Sequence, residues 1–324
     1  MKAITLQSPG DPSVLTLTEV PTPEAGPGEI LVKIVAAGVN RADLLQRQGH
    51  YPPPPGASPL LGMECSGVIA ATGAGVTGWA PGQPCVALLA GGGYAEYVTV
   101  PAGQVLPPPD GIDLVTAAGL IEVAATVSSN LSLARLVSGE TFLVHGGSGG
   151  IGSFAIQYAR SLGARVIATA GAADKLDYCH SVGADLAVSY RTDWAAQASE
   201  FTAGAGVDVI LDNMGASYLE ANVGLLATGG RLVVIGLQGG RRGTLDLGTL
   251  MTKRAQVMAT TLRSRPVPEK TAICSQVAET VWPLVSSGAI RPAPETRIPL
   301  AEAARAHALL ESGDNLGKIL LVTG

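Results

Sequence analysis

The stretch from Val144 to Gly152 constrains the fold of this chain more than any other. It reads VHGGSGGIG, and it lies between an apolar run, Thr141 to Val144, and a helical pattern that runs from Ile151 to Leu162. Gly147, Gly149 and Gly152 fit the spacing G-x-G-x-x-G. Glycines at this spacing permit a tight turn, a close approach of the backbone to a pyrophosphate, and close packing of helix on strand. Phosphates then bind at the helix N-terminus, where free N–H groups point outward. The pattern favours a dinucleotide-binding turn over a flexible glycine loop.

Strand and helix patterns alternate regularly around this turn. Six strand patterns with helical crossovers are the number in a complete doubly wound dinucleotide domain with a parallel sheet. The predicted strands are 141–145, 165–170, 186–189, 207–212, 231–235 and 256–260, and the predicted helices are 151–162, 174–182, 194–202, 217–226 and 247–254. Gly163, Gly183 and Gly229 are expected to end helices in the left-handed conformation.

The first 120 residues show a different pattern, typical of a β-barrel-like domain. Short strand candidates are separated by proline and glycine clusters. They are 3–6, 15–20, 29–36, 65–72, 85–89 and 95–100, with one short helix over 41–48 that Asn40 is suited to cap. The proline run that follows Tyr51 excludes a helix or a central strand there.

The C-terminal segment lies outside the six-strand count. It holds a predicted helix over 271–286, kinked near its end by Pro283, a second helix over 301–310, and a closing strand over 318–322. We therefore expect it to return to the first domain. The predicted boundaries are 1–121 and 263–324 for a discontinuous β-rich domain, and 122–262 for the dinucleotide domain.

Composition limits the partners and the compartment. The net charge of −5 disfavours a nucleic-acid or membrane-surface role. No apolar run reaches the ~18 residues of a membrane span, and the N-terminus reads as a strand, so a cytoplasmic protein is expected. The four cysteines are far apart, show no zinc spacing and are interpreted as reduced core thiols.

Several motifs in order resemble one family, the zinc-independent medium-chain dehydrogenase/reductases. They include GVNRAD at 38–43, QGHY at 48–51, GME at 62–64, GGGYAEY at 91–97, EVAAT at 122–126, TAG at 169–171 and LRSR at 262–265. The likeness covers nearly the whole chain and is strongest to NADPH quinone oxidoreductases of the zeta-crystallin type, in particular the tumour-suppressor-inducible subgroup. It implies a GroES-like catalytic domain interrupted by a Rossmann domain, an active site in the cleft between them, and a homodimer formed through the outer Rossmann strand, for which 256–260 is the candidate.

Two departures from the zinc-dependent members of this superfamily bear on metal binding. Those enzymes have a zinc-ligating cysteine at the position of Asn40 and a ligating histidine at that of Met63. A catalytic zinc needs about three protein ligands, and the four-cysteine structural zinc lobe is absent as well. We therefore expect no metal site.

The second Rossmann strand predicts the cofactor. It ends in Ala170-Gly171, without the acid that binds a ribose 2′-hydroxyl in NAD-specific domains. The family places Lys175 and Tyr190 beside a 2′-phosphate, which favours NADPH. The further cofactor contacts that the resemblance implies are Asn40, Thr126, Gly147, Gly149, Gly150, Ile151, Gly152, Gly171, Asn213, Gly236, Leu237, Leu262 and Asn315.

Hydride transfer to a quinone builds negative charge on one oxygen, which a hydrogen-bond donor stabilises. The resemblance places Asn40 and Tyr51 at the nicotinamide end of the cleft, as candidate catalytic residues, although Asn40 can equally be a helix cap and Tyr51 a buried aromatic. The expected function is an NADPH-dependent quinone reductase without metal or flavin. Two alternatives stay open: an enoyl or 2-alkenal reductase on the same fold, and an NADPH-binding structural protein of the crystallin kind with little turnover.

Overall fold

A computed structural model describes all residues from 1 to 324. The strands, in chain order, are β1 Lys2–Thr5, β2 Thr16–Glu19, β3 Glu29–Val39, β4 Glu64–Thr72, β5 Pro84–Leu88, β6 Tyr97–Pro101, β7 Val105–Leu106, β8 Thr141–Val144, β9 Arg165–Ala170, β10 Leu186–Ser189, β11 Val207–Asp212, β12 Leu226–Val234, β13 Gln256–Ala259, β14 Glu295–Pro299 and β15 Lys318–Val322. The helices are α1 Arg41–Arg47, α2 Leu114–Ala117, α3 Ile121–Leu133, α4 Gly150–Ser161, α5 Ala173–Ser181, α6 Trp194–Phe201, α7 Leu219–Leu225, α8 Leu247–Lys253, α9 Val267–Gln276, α10 Trp282–Ser286 and α11 Ala303–Ser312.

The chain forms two compact units. The first contains residues 1–125, 262–288 and 292–324, and the second contains residues 126–261 and 289–291. Because the last segments return to the first unit, that unit is discontinuous in sequence.

A seven-stranded, largely antiparallel sheet forms the first unit, in the order β14-β15-β3-β4-β5-β7, with β6 also paired to β3. The long strand β3 is central, because it pairs with β15, β4 and β6. Alternate residues of β3, including Ile30, Val32 and Ile34, enter a core of branched aliphatic side chains. This core fixes the ends of β3, β4 and β15, and Asn40, one of the two candidate catalytic residues, directly follows β3.

The second unit is a parallel sheet of six strands, in the order β10-β9-β8-β11-β12-β13. Its order steps outward from β8 in both directions, as in a doubly wound fold, and the predicted fold class is confirmed. Four consecutive buried residues, Thr141 to Val144, form β8 beside β9 and β11. Ligands of such sheets bind at the carboxyl ends of the strands near the point where the order reverses, and the glycine loop follows β8 there.

Three local predictions were wrong. The helix predicted from residue 271 begins at Val267, and its ladder is interrupted by a π-type turn over Val277–Val281, just before Pro283, which has no N–H to continue the ladder. The helix predicted from residue 217 is regular only from Leu219 to Leu225. Gly229 has a left-handed φ of 79°, but it lies within β12, where the register with β11 shifts, and not at a helix end.

None of the helices is both long enough and apolar enough to cross a lipid bilayer.

Candidate functional site

In the first unit, three buried polar side chains converge where β3, β4 and β15 end or begin. Asn40 follows β3, Glu64 opens β4 and Lys318 opens β15. The Asn40 amide nitrogen donates to Glu64 Oε1 at 3.0 Å, and Lys318 Nζ donates to Asn40 Oδ1 at 2.6 Å. Lys318 also forms an ion pair of 2.6 Å with the same Glu64 oxygen. The other Glu64 oxygen accepts the backbone N–H of Glu122 at 3.0 Å. The side chain of Asn40 therefore belongs to a buried polar network.

The backbone around this network leaves no space for a larger side chain. A Cβ atom at Gly38 would lie 2.1 Å from Glu64 Oε1, so the approach of β3 to this carboxylate requires glycine. This is the physical reason for the first residue of the GVN motif.

Asp43 fixes the turn that carries Asn40. Its carboxylate accepts the backbone N–H of Asn40 at 2.8 Å and that of Gly62 at 2.9 Å. Burial raises the pKa of Asp43 to about 6, against the lowering effect of these two N–H groups and of Lys318. The Tyr94 hydroxyl lies 3.1 Å from His307 Nε2, and burial raises the pKa of Tyr94 well above its ordinary value. The two hydrogen bonds of Asp43 hold the start of α1 against the loop before β4.

Tyr51 lies half-buried in the proline loop and is held by Arg263. The Arg263 guanidinium donates to the carbonyl oxygens of Ala90 and Tyr51 and to Gln46 Oε1, at 2.7, 3.1 and 2.7 Å. Its central carbon also stands 5.2 Å from the centre of the Tyr51 ring. Its place in the LRSR motif at 262–265 is the only signal for Arg263 in the sequence, and that motif does not indicate that the guanidinium is buried.

The positions of the zinc ligands in related enzymes hold no ligand cluster here. Met63 is buried, and the Asn40 amide is bonded to Glu64 and Lys318. No group of three or more His, Cys, Asp or Glu side chains is arranged to hold a metal ion. All four cysteines are buried free thiols.

In the second unit the glycine loop joins β8 to α4. The left-handed turn is at Gly146, with φ of 71°, one residue before the position that the motif predicted. A Cβ at Gly147 would lie 2.8 Å from the side chains of Ala168 and Cys179, and one at Gly152 would lie 2.2 Å from the carbonyl oxygen of Gly146. Both glycines therefore permit packing of the loop and helix on the sheet.

Gly149 differs from Gly147 and Gly152 because its position has room for a Cβ atom. It is the N-cap of α4, and a Cβ there would be no closer than 3.6 Å to the nearest atom, the Gly146 oxygen. Gly150 and Ile151 follow in the first turn of α4, where the N–H groups face outward.

The ends of β9 and β10 bring Gly171 and Tyr190 together. A Cβ at Gly171 would lie 2.2 Å from the Tyr190 hydroxyl, and the Tyr190 N–H donates to the Ala170 carbonyl at 3.1 Å. Tyr190 is 46% exposed. Lys175 is half-buried in the first turn of α5, next to the exposed Asp174. The strand end itself carries no acid, although the following helix does.

Asn213 follows β11 beside the glycine loop. Its Oδ1 is buried without a hydrogen-bond partner, and its Nδ2 would lie 3.0 Å from a Cβ at Gly146. Gly236 packs on the Asn213 backbone, and Leu237 after it is half-exposed. Thr126 is buried in α3, while Leu262 and Asn315 are half-buried in the first unit. An unsatisfied buried acceptor next to an open helix N-terminus suits a ligand with hydroxyl or amide donors.

Comparison with known proteins identifies the family. Residues 26–110 match the alcohol dehydrogenase GroES-like domain, and residues 150–279 match the zinc-binding dehydrogenase domain. The structure of mycobacterial Rv1454c complexed with NADPH is 34% identical, with a TM-score of 0.90 over 99% of this chain and 100% of that chain. Escherichia coli quinone oxidoreductase complexed with NADPH is 29% identical, with a TM-score of 0.90 over 99% of this chain and 100% of that one.

A curated relative from Mycobacterium tuberculosis, a mycocerosic acid synthase-like polyketide synthase, is 31% identical over 318 residues, which are 98% of this chain. This chain spans only 15% of the length of that relative. The two domain matches and the solved structures agree with the resemblance drawn from the motifs. The chain belongs to the medium-chain dehydrogenase/reductase family, and its structural neighbours include NADPH quinone oxidoreductases of that family.

Proposed function

We propose that this protein is an NADPH-dependent reductase that transfers hydride directly to a quinone, without metal or flavin. The observation that carries the proposal is the buried network of Asn40, Glu64 and Lys318. It places a neutral amide donor, not a metal ligand, at the position where the zinc-dependent members have a cysteine. The two neighbouring structures that contain NADPH support the same reading.

The second unit has the features that an NADPH site requires. The open N-terminus of α4 suits the pyrophosphate, with Gly147, Gly149, Gly150, Ile151 and Gly152 around it. Gly171, Lys175 and Tyr190 would receive the 2′-phosphate. The remaining proposed contacts are Asn40, Thr126, Asn213, Gly236, Leu237, Leu262 and Asn315. When bound, the nicotinamide supplies the hydride that reduces the acceptor.

The first unit supplies donors for the acceptor oxygen. As hydride reaches a quinone ring, charge develops on one carbonyl oxygen, and fixed donors stabilise it without having to reorganise. The Asn40 amide and the Tyr51 hydroxyl are the proposed donors. The guanidinium of Arg263 holds the Tyr51 loop through its carbonyl oxygen and ring, so this donor is fixed before the substrate binds.

A second candidate function is enoyl or 2-alkenal reduction. It is favoured by the polyketide synthase relative, whose similarity extends over 98% of this chain. The chemistry differs little, because hydride again reaches an electron-poor conjugated carbon, and the same donors would stabilise the enolate oxygen.

The experiment is a comparison of kcat/KM for ortho-quinones, para-quinones and 2-alkenals with NADPH, before and after dialysis against a strong chelator. The proposal expects quinones to be preferred and the rates to survive chelation. A preference for 2-alkenals supports the second candidate. Negligible turnover of every acceptor, or loss of activity together with stoichiometric zinc, contradicts the proposal.

A further inference from the structure

We infer that Lys318 and Glu64 are positioning residues that orient the Asn40 amide so that one of its N–H groups faces the hydride acceptor. The inference rests on the proposed function. It adds Lys318, which lies outside the quoted motifs, gives a role to Glu64 of the GME motif, and assigns the direction of one catalytic donor.

The chemistry of the partners fixes the direction of the amide. An ammonium group has no acceptor, so Lys318 must face the oxygen of Asn40, at 2.6 Å. An ionised carboxylate has no donor, so Glu64 must face the amide nitrogen, at 3.0 Å. A flipped amide would set its NH₂ against the ammonium and its oxygen against the carboxylate. The two partners thus exclude the reversed rotamer by charge.

One donor of the amide is left over in this arrangement. An asparagine NH₂ carries two N–H groups, and Glu64 takes one of them. The Asn40 amide nitrogen donates no hydrogen bond besides the one to Glu64, so the second N–H has no partner within the network. We assign this N–H to the acceptor oxygen.

Lys318 also makes this N–H a stronger donor. A cation bound to the amide oxygen draws electron density from the nitrogen, and hydrogen bonds in series strengthen one another. Glu64 cancels the charge of Lys318, so the network remains neutral overall. The Glu122 N–H fixes the far oxygen of Glu64, and Gly38 allows β3 to approach it.

A purely structural role accounts poorly for this pair. Lys318 and Glu64 are 7% and 0% exposed, and a buried ion pair often stabilises a fold less than apolar residues of similar size. A device that fixes one rotamer of a catalytic amide explains why charges are kept in this position.

The main experiment is a double-mutant cycle on kcat with NADPH and a quinone. Lys318→Met should lower kcat about tenfold, since it removes the orientation of a single donor, while the KM for NADPH changes less than about twofold. In an Asn40→Ala background the same substitution should cost nothing further, because Lys318 acts through Asn40. Lys318→Arg should recover most of the rate.

Lys270→Met is the matched control and should leave kcat nearly unchanged, because Lys270 is a buried lysine of the same unit that does not hydrogen-bond to Asn40. Equal losses from Lys318→Met with and without Asn40 would overturn the inference. Lys318→Met leaves the buried Glu64 carboxylate without its cation partner. The Lys318→Met/Glu64→Gln double variant is therefore a second test, because it removes both charges while the two side chains keep nearly the same volume. It should show the same loss of kcat.

An activity-independent readout separates this inference from the proposed function. The side-chain NH₂ signals of ¹⁵N-labelled Asn40, assigned by their loss in Asn40→Ala, should shift when NADP⁺ and a hydroquinone are added. The same signals should have different chemical shifts in Lys318→Met and in Lys318→Met/Glu64→Gln, which both lack the ammonium group. Failure of the wild type to reduce any acceptor contradicts the proposed function alone. Identical NH₂ signals in wild type and variants contradict the positioning role.

Discussion

We propose that Lys175, in the first turn of α5 after β9, determines the preference for NADPH over NADH. Lys175→Ala should raise the dissociation constant of NADPH about 10- to 100-fold, because a charge-assisted hydrogen bond to phosphate contributes about 1.5–3 kcal/mol. NADH has no 2′-phosphate and should be nearly unaffected. Titration calorimetry with both cofactors measures the difference, which should shrink as salt is added.

Asp174 provides an internal control for this site. It is exposed in the same first turn of α5, so its negative charge would repel a 2′-phosphate bound at the proposed site. Asp174→Asn should tighten NADPH binding modestly and leave NADH unchanged. Equal weakening of both cofactors by Lys175→Ala would place the 2′-phosphate elsewhere.

The hydroxyl of Tyr51 is the second proposed donor to the acceptor. Tyr51→Phe retains the ring that stacks against Arg263 and removes only the hydroxyl. Loss of one such donor costs up to about 10²–10³ in rate, and a smaller loss is expected here because Asn40 shares the charge and quinones accept hydride readily. Steady-state kcat/KM measures it, and unchanged values in both Tyr51→Phe and Tyr51→Ala would remove Tyr51 from the mechanism.

At the scale of the elements, two glycines of one loop are expected to behave in opposite ways. Gly152→Ala places a methyl group 2.2 Å from the Gly146 oxygen, and overpacking of this kind costs roughly 1–3 kcal/mol of unfolding free energy. At Gly149 the φ angle is an ordinary −83° and a Cβ atom would lie 3.6 Å from the nearest atom. Gly149→Ala should therefore change the free energy of unfolding by less than about 0.5 kcal/mol.

The same Gly149→Ala substitution should nevertheless raise the dissociation constant of NADPH by about tenfold or more, because its methyl group would stand where we propose that the pyrophosphate binds. Chemical denaturation and a binding titration on both variants separate folding from binding. A stable Gly149→Ala protein with unchanged affinity would show that the dinucleotide does not use this helix end.

The sequence predicts elements well where the signal is local. Both the buried run Thr141–Val144 and the glycine motif are contained in a few consecutive residues. The strand and the strand–turn–helix arrangement are found as predicted, with the left-handed turn one residue earlier, at Gly146. The strand Glu295–Pro299 was missed, because it has charged, proline-bounded residues and depends on pairing with β15.

The network of Asn40, Glu64 and Lys318 could not be predicted from the spacing of these residues in the sequence. Asn40 is 24 residues from Glu64 and 278 residues from Lys318. Lys318 reads in sequence only as the polar first residue of an apolar strand. The network exists because β15 pairs with β3 in a register that sets Ile319 opposite Val39, and that register is a property of the whole sheet.

For the whole molecule, His145 should make unfolding sensitive to acid. It is buried between Thr169 and Asn222, and burial lowers its pKa to about 4 from an ordinary value of 6.5. The unfolded chain therefore binds a proton below pH 6.5 that the folded chain resists until about pH 4. The stability contributed by the neutral ring is full above pH 6.5 and is lost as the pH falls to 4, by about 3 kcal/mol.

His145→Gln retains hydrogen-bonding groups but does not titrate, so its unfolding free energy should fall less steeply between pH 6.5 and 4 than that of the wild type. Denaturant unfolding at several pH values gives the two slopes. Parallel slopes would show that the ring is not held neutral in the folded protein.

The six-stranded sheet has two outer strands, and we propose that one of them pairs with a second copy of the chain. β13 is one outer strand, as predicted for 256–260, and β10 is the other. Two apolar side chains are exposed in this part of the chain, Val257 of β13 at 36% and Met251 of α8 at 77%. An uncovered strand edge with apolar neighbours pairs readily with a second copy about a twofold axis. We propose a homodimer through β13, and light scattering at micromolar concentration should give twice the monomer mass.

Val257→Lys should shift the mass toward monomer, because it sets like charges against each other across the axis. Ala187→Lys on β10 is the matched control and should leave the dimer intact. A wild-type protein of monomer mass, or dissociation by the β10 substitution alone, would exclude pairing through β13.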